Sequence, residues 1–216
     1  MTINMEKKKR RFFFSVFVQD IIAIPLARKL IKMKANPNVI TVIGLISSFI
    51  AGLLYLEKYF QIGALFFLFA LIIDSTDGRV ARGQNITSEL GEKLDAISDK
   101  TRSVFVMICL VYSAFGFSLQ SVLLVLLYMI LPLVRPHIRK KLSLNADPTE
   151  YFWYSTKLNN WLKQRSLCGL YNGWERSVLA LFIGPLLNLP ILIIPAIIIE
   201  IAIYISGLFY IKRVEL

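Results

Sequence analysis

Asp74-Ser75-Thr76-Asp77-Gly78-Arg79-Val80-Ala81-Arg82, then eight residues, then Gly91-Glu92-Lys93-Leu94-Asp95-Ala96-Ile97-Ser98-Asp99: the rest of the chain is arranged around this stretch. It carries four aspartates, spaced three apart in the first pair and four apart in the second. Spacing three puts Asp74 and Asp77 on one face of a helix, and spacing four does the same for Gly91, Asp95 and Asp99. The apolar run Phe60 to Ile73 leads into the first pair, and a run from Val104 leads away from the second. Two helix ends meeting at a membrane boundary would gather all four acids into one pocket. Close carboxylates cannot all stay ionised without compensation. Oxygen-only ligands suit a hard divalent cation, and the absence of His and Cys from the stretch argues against zinc.

The surrounding composition is that of a membrane protein. With 216 residues and 56% hydrophobic content, the chain reads as one compact all-α integral membrane unit without linker or internal repeat. Cys109 falls in an apolar run and Cys168 in a polar loop, which makes no disulfide framework. The net charge of +11 flanks apolar runs, a membrane-surface pattern and not a nucleic-acid footprint.

Taken in order, residues 1–38 form a cytoplasmic N-terminus with an interfacial helix. Lys7, Lys8, Lys9, Arg10 and Arg11 precede an apolar stretch, but Gln19-Asp20 and Pro25 interrupt it and no small-residue cleavage site follows, so it is not a signal peptide. Phe14, Phe17, Val18, Ile21 and Ile22 follow the spacing of one helical face, which predicts an amphipathic helix in the headgroup layer. Residues 39–216 then carry six predicted spans: Val39 to Leu56, Phe60 to Ile73, Val104 to Phe117, Ser121 to Val134, Ser177 to Leu189 and Ile191 to Ile211.

Phe60 to Ile73 and Val104 to Phe117, the runs that flank the motif, are too short for the roughly 20 residues a bilayer core requires. Completing them pulls Asp74 and Asp77 into one helix and starts the next near Asp95, which sets the acids at the membrane edge. In the polar segment 135–176, Asp147-Pro148-Thr149-Glu150 has the form of a capping box. Tyr151, Trp153, Tyr154 and Trp161 predict that its helix lies at headgroup level. Of the 25 Lys and Arg residues, Lys58 is the one assigned to the far side, so both termini and the acidic pocket face the cytoplasm of a cell membrane.

The pattern Asp-x2-Asp-Gly-x2-Ala-Arg-x8-Gly-x3-Asp-x3-Asp resembles, without a gap, the signature of the CDP-alcohol phosphotransferases. The resemblance covers residues 74–99 closely. It extends more loosely to Asn36-Pro37-Asn38 and to the six-span layout. It implies a phospholipid-synthesising enzyme that transfers a phosphatidyl-type group from a CDP-linked lipid to a hydroxyl acceptor and releases CMP, with Mg2+ or Mn2+, two ions, as cofactor. It also implies that Asp74, Asp77 and Asp95 are metal ligands. Asp99 would be the general base and a further group near the metal. Asp74, Asp77, Gly78, Ala81, Arg82 and Gly91 would shape the CDP site. Spacing alone does not separate Asp95 from Asp99. The expected partners are the lipid donor, a small polar alcohol, membrane lipids and a second copy of the chain in a homodimer.

The residues themselves are compatible with that chemistry. Gly78 and Ala81 lack bulk, so a nucleotide could approach the backbone, and Arg82 offers a planar donor fork to phosphate. Gly91 is equally explained by close helix packing. Arg135, Arg139 and Arg176 are candidate acceptor contacts, each also explained as a membrane anchor. Segment 135–176 holds eight cations against Asp147, Glu150 and Glu175, which favours a phosphorylated polyol over serine. Leu94 to Lys100 resembles the glycerol-phosphate branch of the family and Glu175-Arg176 is similar to the inositol-phosphate branch. Glu200, inside the last span, is a functional candidate by its cost there, or else a hydrogen-bonding partner for another helix or subunit. His137 sits at a helix end. An intramembrane prenyltransferase would carry two well-separated aspartate motifs on a longer chain, and a divalent-cation transporter leaves Gly78, Ala81 and Arg82 unexplained.

Overall fold

The first long helix begins where the sequence supplies a cap. The Asn36 side chain accepts from the Asn38 amide at 2.9 Å, and Pro37 takes the first helical position, where a missing N–H costs nothing. The computed structural model of which this helix is part describes residues 11–12, 19–86, 89–141, 167–169 and 173–214. Its helices are α1 (Ile24–Lys32), α2 (Pro37–Leu56), α3 (Phe60–Gly83), α4 (Glu89–Phe115), α5 (Leu119–Lys141), α6 (Gly173–Val178) and α7 (Ile193–Val214). A π-helical turn, Gln19–Ala23, leads into α1; a second, Leu179–Ile183, and then Gly184–Leu186 extend α6. Among the described residues the one departure from all-α structure is a parallel pairing of β1 (Arg11–Phe12) with β2 (Leu167–Gly169).

Each predicted apolar interval is mainly helical, and α3, α4 and α5 reach beyond their apolar runs into polar sequence. The helix expected to take in Asp74 and Asp77 continues past them to Gly83, and the one expected to start near Asp95 starts at Glu89. The helix expected to end at Arg135-Pro136 continues to Lys141; a proline removes a single backbone bond and need not end a helix whose neighbours hold it. Asn188, in the left-handed region at φ 58°, lies in the turn between Gly184–Leu186 and Pro190.

Among the described residues two helices, Pro37–Leu56 and Phe60–Gly83, are long and apolar enough to cross a membrane; 39% and 44% of their apolar windows are buried within the protein. Their outward faces carry Val42, Ile46, Phe49 and Leu53 on α2 and Ile62, Leu65 and Phe69 on α3. Such contiguous exposed apolar surface suits hydrocarbon, not water. The inward faces are small: Gly44, Ser48, Ala51 and Gly52 on α2, Gly63, Ala64 and Ala70 on α3. This is how membrane helices approach closely without a hydrophobic effect between them. A Cβ on Gly63 would lie 2.6 Å from the Tyr55 ring and 3.0 Å from the Ala51 carbonyl, so the α2–α3 contact requires glycine there.

Tyr55, Phe67, Met107, Leu110, Leu181, Ile193 and Ile197 fill the shared core of α2, α3, α4, α6 and α7. The Tyr55 hydroxyl donates to the Leu181 carbonyl within the π-helical turn and ties α2 to α6. A second, smaller cluster of Ala27, Ile40, Ile73 and Val80 joins α1 to the ends of α2 and α3. There Ile31 packs on Gly83, and Gln84 Nε2 donates to the Ala35 carbonyl at 3.0 Å. Residues on both sides of the expected boundary at 38 therefore share one core. Ile21 and Ile22 are exposed, in keeping with an interfacial face. Phe14, Phe17, Val18 and the helix expected after Asp147 lie outside the described residues.

Candidate functional site

The site forms where α3 and α4, which both pack on α2, are bridged by the side chain of Arg102. Because α3 stays helical through Arg82, Asp74, Asp77, Gly78, Ala81 and Arg82 follow one another around a single helix end. Because α4 starts at Glu89, Gly91, Asp95 and Asp99 fall on successive turns of one face. Gly91 and Asp95 are placed by backbone alone; their surroundings lie outside the described residues.

The three described aspartates differ in environment. Asp77 is buried, 3% exposed, and its Oδ2 accepts from the Thr41 hydroxyl of α2 at 2.6 Å. Asp74 and Asp99 are 18% and 45% exposed at the side chain, and both accept from the same nitrogen, Nη2 of Arg102. The Asp74 contact is 2.6 Å. Arg102 itself is 6% exposed, one helical turn beyond Asp99, and its Nε is buried without a hydrogen-bond partner. A buried cation therefore stands between carboxylates from the two motif helices. It supplies the compensation that close carboxylates need.

Neither Thr41 nor Arg102 stands out in a reading of the sequence. Arg102 had a legible signal, since it lies three residues after Asp99, the spacing that brings side chains together on a helix. Thr41 had none, being 36 residues from Asp77.

Gly78 is used by the protein itself. A Cβ there would lie 3.3 Å from Nη1 of Arg82, so the Arg82 side chain folds back across the glycine one turn earlier. Arg82, the exposed residue of the last turn of α3, thus holds its guanidinium over Gly78.

Arg176 departs from its expected role. It is 3% exposed, paired with Glu200 of α7, and its guanidinium carbon lies 4.0 Å from the Tyr128 ring centroid of α5. The Tyr128 hydroxyl in turn lies 2.7 Å from the Ser177 hydroxyl. The pair knits α5, α6 and α7 together and accounts for Glu200 as the partner of a neighbouring helix. Charge counting cannot separate a cation turned inward from one facing the headgroups, which is why Arg176 read as an acceptor contact. Arg135, His137 and Arg139 fall on the last turns of α5 by backbone, and their side chains lie outside the described residues.

The donor chemistry fits a divalent cation: Asp74, Asp77 and Asp99 offer only oxygens, and one nitrogen touching both Asp74 and Asp99 shows that these two reach a common point. Among the described residues no three acidic, histidine or cysteine side chains form a ready metal-ligand group. Arg102 occupies the meeting point, and the Asp95 side chain lies outside the description.

Comparison with known proteins agrees with this architecture. In Schizosaccharomyces pombe, a cardiolipin synthase (CMP-forming)/mitochondrial hydrolase fusion protein is 38% identical over 74 residues, 34% of this chain. The chain spans only 12% of that relative's length. Two Mycobacterium tuberculosis phosphatidylinositol phosphate synthase structures share the fold at 19% identity, with TM-score 0.52 over 86% of this chain. One has CDP-DAG bound and is covered over 93% of its length; the other is in complex with manganese and citrate and is covered over 88%. The family model for CDP-alcohol phosphatidyltransferases matches residues 34–161, more than half of the sequence and all four motif aspartates, and the chain belongs to that enzyme family.

Proposed function

We propose that this protein transfers a phosphatidyl-type group from a CDP-linked lipid to a phosphorylated polyol, such as glycerol 3-phosphate or inositol phosphate, with release of CMP. The observation that carries the reading is the shared Arg102 contact, which brings Asp74 of α3 and Asp99 of α4 to one point beside apolar helix surface. A diphosphate bearing lipid tails needs such a place, with charge-handling groups beside hydrocarbon. The relative solved with CDP-DAG supports the donor class.

In this reading Asp74, Asp77, Asp95 and Asp99 hold Mg2+ or Mn2+, two ions, which would neutralise charge on the transferred phosphate. Thr41 fixes the Asp77 rotamer from α2, so that carboxylate is oriented before any ligand arrives. Arg82 lies over Gly78 and offers its donor fork to the CDP phosphates, with Ala81 and Gly91 leaving room for the nucleotide. Asp99, the most exposed of the three described acids, accepts the proton of the acceptor hydroxyl as its oxygen bonds to the lipid-bearing phosphorus. The bond from that phosphorus to the CMP oxygen breaks, and CMP carries away the electron pair. Arg135 and Arg139, at the end of α5, supply positive charge for the acceptor's phosphate.

The acceptor is tested by CMP release from CDP-diacylglycerol with glycerol 3-phosphate, inositol phosphate, serine and free inositol. The phosphorylated polyols are expected to turn over fastest, and Arg135→Ala and Arg139→Ala to raise their apparent KM. Preference for serine or for an unphosphorylated polyol would overturn the acceptor class. Failure of every acceptor to release CMP would overturn the reaction.

The same reading sets six spans in a cell membrane, with the site facing the cytoplasm and a homodimeric assembly. In a Cys109→Ala/Cys168→Ser background, cysteines replacing Lys8, Glu150 or Val214 are expected to react with an impermeant thiol reagent only from the cytoplasmic side. Lys58→Cys, in the tight α2–α3 turn, is expected to react only from outside. The opposite labelling would invert the topology.

A further inference from the structure

Among the charged groups near the motif, Arg102 has no role in the reaction just described, yet it occupies the centre of the site. Four features of its setting bear on what it does. It is buried, although a charge in that position is expensive without compensation. Its Nη2 alone serves both Asp74 and Asp99, which stand on different helices. Its Nε is buried without a hydrogen-bond partner, so the guanidinium keeps a donor that its present pairing does not use. And the two carboxylate oxygens it bridges reach one nitrogen, as they would reach one metal ion, whose ligand oxygens lie within roughly 4 Å of each other at about 2.0–2.1 Å from the ion.

We propose that Arg102 is the resident counter-ion of the Asp74–Asp99 pair: it holds α3 and α4 together while no divalent cation is bound and is the group such a cation displaces. This rests on the reading of the aspartates as a metal site. The sign of the effect follows from charge. Four carboxylates on two adjacent helix ends repel each other, and one guanidinium relieves that repulsion in part. A divalent ion relieves it further, and the positive charge of Arg102 then becomes a like charge beside the ion. Arg102 is thus a positioning residue that prevents collapse or splaying of the empty site, at a cost in apparent metal affinity. If the clamped state is favoured by about ten to one, the apparent affinity falls about tenfold, because only the unclamped fraction is competent to bind.

The test compares wild type, Arg102→Met and Arg102→Lys in detergent, with Mn2+ as probe. Metal binding is read by calorimetry or electron paramagnetic resonance, and melting temperature is read in chelator and in saturating Mn2+. Arg102→Met is expected to bind Mn2+ roughly tenfold tighter than wild type. It should melt several degrees lower in chelator and recover most of that loss in Mn2+. Arg102→Lys, which keeps the charge, is expected to stay near wild type in affinity. A structural ion pair alone would lower the melting temperature equally with and without metal and leave Mn2+ affinity unchanged or weaker. Either outcome overturns the proposal. So does an Arg102→Met chain that fails to fold even with Mn2+ while Arg102→Lys binds the ion as wild type does and melts as far below wild type in Mn2+ as in chelator. Wild-type protein that binds no Mn2+ would instead overturn the metal site on which the proposal rests.

Discussion

Asp99→Asn is expected to lower CMP release by roughly a hundred to ten thousandfold, the range typical for loss of a general base, while CDP-lipid binding stays within a few-fold of wild type. The amide keeps the shape of the carboxyl and still accepts a hydrogen bond from Arg102 Nη2, so the α3–α4 contact should survive. What it loses is the capacity to take the acceptor's proton. Asp77→Asn probes a different position. Asp77 is buried and held by Thr41, so its loss is expected to weaken metal-dependent nucleotide binding as well as turnover. The measurement is turnover together with equilibrium binding of CDP-diacylglycerol, with and without Mn2+. Near-wild-type turnover in Asp99→Asn would remove the base assignment. Equal loss of binding in both variants would mean that Asp99 acts chiefly through the metal it holds, with no separate part as the base.

The second large effect is on stability and concerns Arg176 and Glu200. Removing one partner of a buried ion pair costs about 3–5 kcal/mol, because the other charge is left without compensation. For a chain of this length that corresponds to a fall in melting temperature on the order of 10 °C. The two single variants are not expected to be equal. A lone carboxyl can take up a proton and become neutral, whereas a lone guanidinium stays charged. Glu200→Leu, which strands Arg176 against Tyr128, should therefore be the more damaging, and Arg176→Met the milder. The double variant Arg176→Met/Glu200→Leu removes both charges and is expected to recover most of the loss. Melting curves of the four proteins in one detergent decide it. Single variants that melt like wild type, or a double variant worse than either, would show that the pair does not hold α6 to α7. Arg176 would then be open again to a role with the acceptor.

How far the protein could be read without coordinates depended on the range of each interaction. The α2 cap at Asn36-Pro37 and the αL turn at Asn188 are local, set by the residues that form them. The helical placement of Asp74 with Asp77 and of Asp95 with Asp99 followed from the period of the helix. The length shortfall of the flanking apolar runs predicted that the acids would be absorbed into helices, and they are, with α3 reaching Gly83. The reading fell short where a helix end depended on its neighbours. α5 passes through Pro136, and α1 docks on Gly83 through Ile31, a contact with no mark in local pattern.

Sequence by itself determined the family motif, the succession of apolar helices and the grouping of aspartates on helical faces, because these rest on spacing along one chain segment. Tertiary structure alone decided which cations meet which acids: Arg102 between Asp74 and Asp99, Arg176 against Glu200 24 residues away, and Thr41 on Asp77. Those pairings depend on how each helix is rotated about its axis, and that rotation is set by the small inward residues, among them Gly44, Gly52 and Gly63, which determine where two helices can come into contact.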